Sequence, residues 1–245
     1  MQHQNTATEN AMRIMGSFSL IVLPFMLAIA FALHYTALSD FFVFKFVKPP
    51  YSAERLLQTL TSPDGGFRLY TLPHMVGYLA LPLFIPASLS LAYVLIKKAP
   101  WHALIGAALT CVGVVFLAGV FGAWMSFAAV GSIPAKEAGN LLTVLGALTT
   151  MQGSLMLSSA LSALTFLGMI VLGFGLYHSR LVPRWSAALF TLGNILILLF
   201  IDLDNWMFIG ALLMLIGMLP LSMMLLHSTD KKSEYGAQGL SDRLC

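Results

Sequence analysis

Hydrophobic residues along this chain fall into six long uncharged stretches, and the short segments between them carry nearly every charged residue. A helix that crosses a bilayer needs about 20 predominantly apolar residues, and each stretch approaches or exceeds that length. We expect spans at Ile14–Leu38, Tyr70–Ile96, Trp101–Val130, Ser154–Tyr177, Trp185–Ile201 and Asn205–Leu226. The pattern therefore predicts an all-α fold, a polytopic transmembrane helical bundle of about six spans.

The composition agrees with a membrane location. Hydrophobic residues make up 58% of the 245 residues, charged residues make up 9%, and the mean hydropathy is +0.86. A soluble domain of this size could not bury so much apolar surface. The net charge of +3 comes from residues that flank the spans, so it gives no reason to expect nucleic acid as a partner. Membrane lipids are the expected partners, and the oligomeric state is left open.

Three connectors, 97–100, 180–184 and 202–204, are so short that they can only turn the chain back, which predicts antiparallel neighbours. The positive-inside rule favours both termini in the cytoplasm. That orientation puts eight basic residues inside and five outside: Arg13, Lys97, Lys98, Arg180, Arg184, Lys231, Lys232 and Arg243 against Lys45, Lys48, Arg55, Arg68 and Lys136. We expect a cytoplasmic N-terminal tail at 1–13, a six-helix domain at 14–227 with an outer loop at 39–68, and a cytoplasmic C-terminal tail at 228–245.

The first apolar stretch allows one alternative. Ala28-Ile29-Ala30 resembles a signal-peptide cleavage site, but the stretch exceeds the usual 7–15-residue signal core and only Arg13 precedes it. We therefore expect an uncleaved first span. Cleavage would leave five spans and an external N-terminus.

The outer loop contains the signature of a short amphipathic helix. Ser52 is a suitable N-cap, Glu54 follows in the first turn, and Leu56, Leu57 and Leu60 share one side. The helix could act as a lid over an outward-facing pocket, but a loop packed on the bundle surface is the expected arrangement.

The conformation of 131–153 is left open by the sequence. Its segment Leu141–Thr150 is nearly as apolar as the spans. It could extend a tilted fourth helix, form a separate interfacial helix, or form a re-entrant loop.

His34 and His74 lie at similar distances from the outer ends of the first two spans, so antiparallel packing would bring their imidazoles to one depth. Two neutral imidazoles could ligate a haem iron axially or contribute to a metal site. Because the remaining ligands of a metal shell are missing, we expect each histidine to bond to a neighbouring helix or to reach the interface. No cofactor and no metal are therefore expected, with haem as the alternative.

The second span is the one expected to border a cavity. Tyr70, His74 and Tyr78 recur every four residues and so share one helix face. Pro82 and Pro86 each remove a backbone donor, which predicts a kink near the middle. The candidate ligand-binding residues, all in the outward-facing half, are His34, Tyr70, His74, Tyr78 and Trp124.

Other polar and small residues are expected to have structural roles. Asp202 and Asp204 belong to a solvated connector, with Asp204 or Asn205 capping the last helix. Asn194 is expected to hydrogen-bond between helices. Close helix packing is expected at Ser154, Ser158, Ser162, Gly113 and Gly122, and interfacial anchoring at His102, His178 and His227.

One connector carries a family resemblance. The segment 173–185, Gly-Phe-Gly-Leu-Tyr-His-Ser-Arg-Leu-Val-Pro-Arg-Trp, resembles the connector of a family of uncharacterised six-span bacterial membrane proteins, the domain of unknown function 4386 type. The resemblance covers roughly Met12 to His227 in span number and loop lengths. It implies a bacterial inner-membrane protein and transfers no catalytic residue.

No catalytic motif is present: the sequence has no HExxH, no GxSxG, no phosphate-binding glycine loop and no acidic cluster within a predicted span. We therefore expect no catalytic residue and favour a non-enzymatic protein. The expected function is to bind or pass a small apolar or amphipathic molecule or a lipid. A haem-binding redox protein using His34 and His74, and a purely structural accessory subunit, are the alternatives.

Overall fold

The computed structural model describes residues 2–35, 42–44, 53–62, 66–127, 142–143, 145–146, 153–201 and 203–241. These ranges contain no strand, which confirms the all-α prediction for the described part of the chain. The helices are α1 (Gln2–Ala32), α2 (Ala53–Thr61), α3 (Gly66–Leu95), α4 (Pro100–Ser126), α5 (Ser154–Ser179), α6 (Arg184–Leu199) and α7 (Asp204–Ser241).

Five of these helices are long and apolar enough to cross a membrane: α1 over Asn10–Ala32, α7 over Asp204–His227, and α3, α4 and α5 over their whole lengths. Helix α6 is apolar but has only 16 residues. At 1.5 Å per residue it is about 24 Å long, shorter than the hydrocarbon core of about 30 Å. The described part of the chain therefore contains five apolar helices of membrane-spanning length and one shorter apolar helix.

The six helices other than α2 form a closed ring in which each contacts its neighbours along the chain and α7 returns to α1. Neighbours are antiparallel, because the beginning of one lies beside the end of the next. In α1 and α7, for example, Ser17 Oγ donates to the Ser222 carbonyl at 3.0 Å, and Ser222 Oγ donates to the Ser17 carbonyl at 3.2 Å. We call the end where α1 finishes and α7 begins the loop end, and the opposite end, with the turns after α3 and α5, the turn end.

Glycine permits the closest approach of α4 and α5. A Cβ added to Gly113 would lie 2.1 Å from the Thr165 backbone nitrogen, so this contact requires glycine, as expected. A Cβ at Gly122 would meet nothing within 4 Å among the described residues, so the close approach expected there is not found. Of the three serines expected at helix contacts, Ser162 is buried, Ser158 is partly buried and Ser154 is exposed.

Helix α3 departs twice from regular α-helical geometry. It begins with a π-helical turn over Gly66–Thr71 and contains a 3₁₀ turn over Leu81–Leu83. The second departure coincides with Pro82, one of the two prolines from which a kink was predicted, while Pro86 lies within regular α-helix. Pro82 has no N–H to donate to the Tyr78 carbonyl, and Leu81 N–H bonds to that carbonyl instead.

Several boundaries differ from those expected from hydropathy. Helix α1 starts at Gln2, within the predicted tail 1–13, and ends at Ala32 rather than Leu38. It ends because the last turn tightens: His34 N–H bonds to the Phe31 carbonyl three residues earlier. Helix α7 continues to Ser241, well into the predicted tail 228–245. The apolar segment Leu141–Thr150 lies mostly outside the described residues.

Candidate functional site

The ring brings four of the predicted site residues together at the loop end. His34 follows the last turn of α1, Tyr70 and His74 lie in the first turns of α3, and Trp124 lies in the last turn of α4. These three helix ends meet because α3 is antiparallel to both of its neighbours. We call His34, Tyr70, His74 and Trp124 the loop-end cluster.

Hydrogen bonds fix two members of the cluster. The Tyr70 hydroxyl donates to the Trp124 carbonyl at 2.9 Å and joins α3 to α4. His74 Nδ1 lies 2.7 Å from the Tyr70 carbonyl oxygen. A carbonyl only accepts, so Nδ1 carries the proton in this bond. In the neutral ring, Nε2 then keeps its lone pair and can accept a hydrogen bond.

Aromatic packing surrounds the His74 imidazole. Its ring centroid lies 4.4 Å from that of Tyr70 at an interplanar angle of 30°, and 6.0 Å from that of Trp124 at 21°. His34 approaches with its ring nearly perpendicular, with centroids 5.2 Å apart at 84°. Tyr70 is only 4% exposed, so the part of the loop-end cluster around Tyr70 is shielded from solvent. A polar and aromatic cluster of this kind suits a ligand that has both apolar and hydrogen-bonding parts.

Asp204 is the residue that sequence reasoning missed. It was expected in a solvated connector, but its Oδ1 lies 3.5 Å from His34 Nδ1, at the beginning of α7. This distance is within ion-pair range and long for a hydrogen bond. The sequence contained one indication of this proximity. Asp204 and His34 both fall at the outer ends of their predicted spans, which places them at a similar depth in the membrane. The connection between them required knowing that α7 closes the ring against α1.

The negative charge of Asp204 also reaches Tyr35. Burial, followed by the nearby Asp204 carboxylate, raises the pKa of Tyr35 to about 12, while a backbone hydrogen bond from Asn205 acts in the opposite direction. Asn205 itself is buried: its side-chain oxygen accepts from Trp206 N–H at 3.0 Å, and Nδ2 donates to the Val43 carbonyl at 3.1 Å. Helix α7 begins at Asp204, so Asn205 lies within its first turn, and its bond to the next residue's N–H is not the N-cap bond expected for Asp204 or Asn205, which reaches two or three residues ahead.

Tyr78 is not brought to the cluster. It is 43% exposed, and within the described part of the chain its side chain makes no hydrogen bond or ring contact with the other four candidates. A step of four residues rotates a helix by about 40° beyond a full turn, so two such steps rotate Tyr78 by about 80° away from Tyr70. The shared face expected for this series extends only from Tyr70 to His74.

Helix α2 packs directly over part of the cluster. Its buried residues Leu56 and Leu60 belong to the same apolar group as Tyr70 and Trp124, together with Val120, Phe127 and Leu145. The predicted amphipathic helix and its buried leucine side are therefore confirmed. Packing on the bundle was the expected arrangement, and here the packing lies where a lid would act.

A haem held between His34 and His74 does not fit this geometry. Axial ligation by both rings requires metal–nitrogen bonds of about 2 Å on opposite sides of the iron, which places the ring centres about 6 Å apart with the macrocycle between them. The observed centroids are 5.2 Å apart, and Tyr70 and Trp124 already contact His74. In the described part of the chain, no three His, Cys, Asp or Glu side chains are placed to hold a metal ion.

The remaining polar candidates lie elsewhere. Asn194 is fully buried in α6 and donates to the Phe190 carbonyl of its own helix at 2.9 Å, not to a neighbouring helix as expected. Asp202 lies outside the described residues. At the turn end, His102 and His178 contact each other, with ring centroids 6.4 Å apart and nearly parallel planes. His227 Nδ1 lies 2.9 Å from the Met223 carbonyl oxygen, at the exposed end of the apolar part of α7.

Comparisons with protein-family models, with curated proteins and with solved structures found no match to this chain. The resemblance of segment 173–185 to a bacterial membrane family therefore stays a prediction. What defines the protein is a ring of apolar helices with a polar and aromatic cluster at one end.

Proposed function

We propose that this chain is a six-span protein of a bacterial inner membrane, with both termini in the cytoplasm. The distribution of charge supports this orientation. Lys97, Lys98, Arg180 and Arg184 are all exposed at the turn end, and the positive-inside rule assigns that end to the cytoplasm. The loop-end cluster is then at the outer surface. Helix α6 completes the sixth crossing, and the family resemblance agrees with this span count.

The protein binds a small apolar or amphipathic molecule, including lipid, at the loop-end cluster, and it does so without covalent chemistry. The observation that carries this proposal is the meeting of His34, Tyr70, His74 and Trp124 from three helices in a partly shielded group. A hydrophobic core needs no such polar group, because polar side chains at membrane depth are costly. His74 and Tyr70 supply hydrogen-bonding groups, and the aromatic rings supply apolar surface.

Helix α2 serves as a cover for this site. Its buried side chains Leu56 and Leu60 pack in one apolar cluster with Tyr70 and Trp124. Contacts made by two leucine side chains can separate while helix α2 itself stays intact. Movement of α2 would expose the Tyr70 and Trp124 side of the cluster to ligand from the outer surface.

Trp124 provides a direct test, because its indole stacks near His74. In a variant whose other tryptophans are replaced by phenylalanine (Trp101→Phe, Trp185→Phe and Trp206→Phe), Trp124 is the single fluorophore. A brominated long-chain fatty acid quenches tryptophan on contact and is the probe. We expect saturable quenching of Trp124 that is weakened at least tenfold in affinity by His74→Ala and by His34→Ala. The matched control Tyr78→Phe should leave the affinity unchanged.

Three outcomes would overturn this proposal. Quenching that rises linearly with probe, as for random collision in the bilayer, would show that no site exists. An intense haem absorption band in the purified protein, lost in His34→Ala and His74→Ala, would instead establish the redox alternative. A folded protein with neither property would favour the purely structural role.

A further inference from the structure

The turn end contains a second group of polar residues that the proposed function does not use. His102 lies in the first turn of α4 and His178 in the last turn of α5, and their rings are 6.4 Å apart with an interplanar angle of 19°. Gly175 permits this approach, because a Cβ there would lie only 2.8 Å from His102 Cβ. The two turns that adjoin these helix ends, after α3 and after α5, are therefore neighbours.

Four basic residues are concentrated at these two turns. Lys97 and Lys98 lie in the turn between α3 and α4, and Arg180 and Arg184 lie at the ends of the turn between α5 and α6. All four are exposed. Arg184 places its guanidinium 5.4 Å from the centre of the Tyr177 ring, a contact that leaves its positive charge uncompensated.

The sequence from α3 to α6, which forms these two turns, contains almost no carboxylate. Between Arg68 and Ile201 the only acidic residue is Glu137, which lies in sequence between α4 and α5 and outside the described residues. The basic residues therefore form a strongly positive patch at the end of four helices. Such a patch attracts anionic groups over distances of about a Debye length.

The surface beside the patch is suited to lipid. Trp101 is 73% exposed and Trp185 is 54% exposed, and exposed indoles at helix ends are typical of the membrane interface. Farther along α4 and α5, Leu104, Phe174 and Tyr177 are also exposed. A molecule with an anionic head and an apolar chain would therefore contact basic residues and apolar residues at the same time.

We propose that the turn end of α4 and α5 is a binding site for the headgroup phosphate of an anionic phospholipid, with His102, His178, Arg180 and Arg184 as its centre. The guanidinium groups supply paired donors to phosphate oxygens, Lys97 and Lys98 supply positive charge, and the imidazoles supply N–H donors. The acyl chains lie along the exposed apolar surface of α4 and α5. The patch lies at the end of the ring opposite the loop-end cluster, so this site does not depend on the proposed function.

Native mass spectrometry tests this site by counting bound lipid on the intact, delipidated protein. The probes are phosphatidylglycerol and phosphatidylcholine with identical acyl chains. We expect phosphatidylglycerol to bind at least tenfold more tightly. Each Lys or Arg near the membrane surface contributes about a fivefold factor in affinity, so Arg180→Gln with Arg184→Gln should weaken phosphatidylglycerol binding about 25-fold and leave phosphatidylcholine unchanged.

The matched control is Arg55→Gln with Arg68→Gln, which removes two positive charges at the loop end. Its affinity for phosphatidylglycerol should stay within twofold of the wild type. If the arginine variant fails to fold, Lys97→Gln with Lys98→Gln gives the same test in an exposed turn. Equal affinities for the two lipids, or an equal loss in the control, would overturn the proposal. Displacement of phosphatidylglycerol by millimolar inorganic phosphate would overturn the lipid assignment in favour of a soluble anion.

Discussion

His34 and Asp204 join the two helices that close the ring, with His34 Nδ1 3.5 Å from Asp204 Oδ1. The side chains are 24% and 31% exposed, so the pair is partly shielded from solvent. On its other side, His34 contacts the His74 ring. One imidazole therefore links α1 to both α3 and α7 at the loop end.

This relationship predicts energetic coupling between the two residues. Asp204→Asn and His34→Gln should each destabilise the protein, and a double-mutant cycle should give a coupling energy of about 0.5–1 kcal/mol, since the pair is only partly shielded. The measurement is unfolding of the purified protein in detergent. The control cycle pairs Asp204→Asn with His102→Gln at the turn end, where effects should add. If the stability losses of Asp204→Asn and His34→Gln are additive in the double variant, the proximity of the two residues has no energetic consequence.

The Tyr70 hydroxyl predicts a second effect on stability. Tyr70→Phe removes the hydrogen bond to the Trp124 carbonyl and leaves that acceptor in a buried position, so we expect a loss of about 1 kcal/mol and a change in tryptophan emission. Tyr78→Phe makes the same chemical change at an exposed site and should alter stability by less than about 0.5 kcal/mol. Equal effects of the two variants would contradict the assigned role of Tyr70.

Local features of the fold could be predicted from the sequence. Hydropathy located the helices, because an apolar run of this length has no other stable arrangement in a bilayer. The proline at 82 indicated where α3 departs from regular helix, since a missing N–H acts on the residues immediately beside it. The spacing of Leu56, Leu57 and Leu60 predicted α2 and its buried side, because helical periodicity is also a relationship between neighbouring residues. In each case the cause lies within a few residues of the effect.

Relationships between distant segments were harder to predict. The contact of Asp204 with His34 depends on which helices are neighbours in the ring, and periodicity contains no information about that. The same limit explains Gly122, whose glycine was expected at a helix contact but faces open space among the described residues. For Tyr78, the four-residue spacing was correct, but accumulated rotation carried the side chain away from the cluster.

A matched pair of glycines tests the packing of α4. Gly113→Ala places a methyl group 2.1 Å from the Thr165 backbone nitrogen, so α4 and α5 must separate, and we expect a loss of about 1–3 kcal/mol. Gly122→Ala meets no described atom within 4 Å and should be neutral or stabilising by about 0.5–1 kcal/mol, because alanine has the higher helix propensity. Thermal unfolding of both variants decides the point. A tolerated Gly113→Ala would mean that the helices approach less closely than described.

The raised pKa of Tyr35 predicts a specific dependence on pH. With a pKa of about 12 in the folded state and 10.0 as its ordinary value, the unfolded chain loses this proton first. Between those values the folded state binds more protons, so stability falls as pH rises through this window and is unaffected below it. Tyr35→Phe should remove that part of the fall. A titration of phenolate absorbance near 295 nm, wild type minus Tyr35→Phe, should show ionisation near 12, and Asp204→Asn should move it lower. Ionisation near 10 in the wild type would contradict the assigned environment.

The orientation in the membrane predicts the location of reporter domains. Fusions of alkaline phosphatase, which is active only outside, and of green fluorescent protein, which fluoresces inside, should report inside after Lys98 and Arg184, and outside after Gly139. The reason is that the basic turns at Lys97, Lys98, Arg180 and Arg184 remain on the cytoplasmic side. An outside result after Lys98 would reverse the assigned orientation and place the loop-end cluster at the cytoplasmic surface.

The short helix α6 requires a fusion test of its own. A 16-residue helix of about 24 Å can cross only if the bilayer thins locally or if flanking side chains reach the interface, and Arg184 and Trp185 at its beginning are suited to this. The helix also packs closely on α7, where a Cβ on Gly193 would lie 2.4 Å from the Gly210 carbonyl oxygen. Because α7 is long enough to cross, a fusion after Leu203 should report outside and one after Asp230 inside. If both sites report inside, neither α6 nor α7 crosses, and the six-span proposal is wrong.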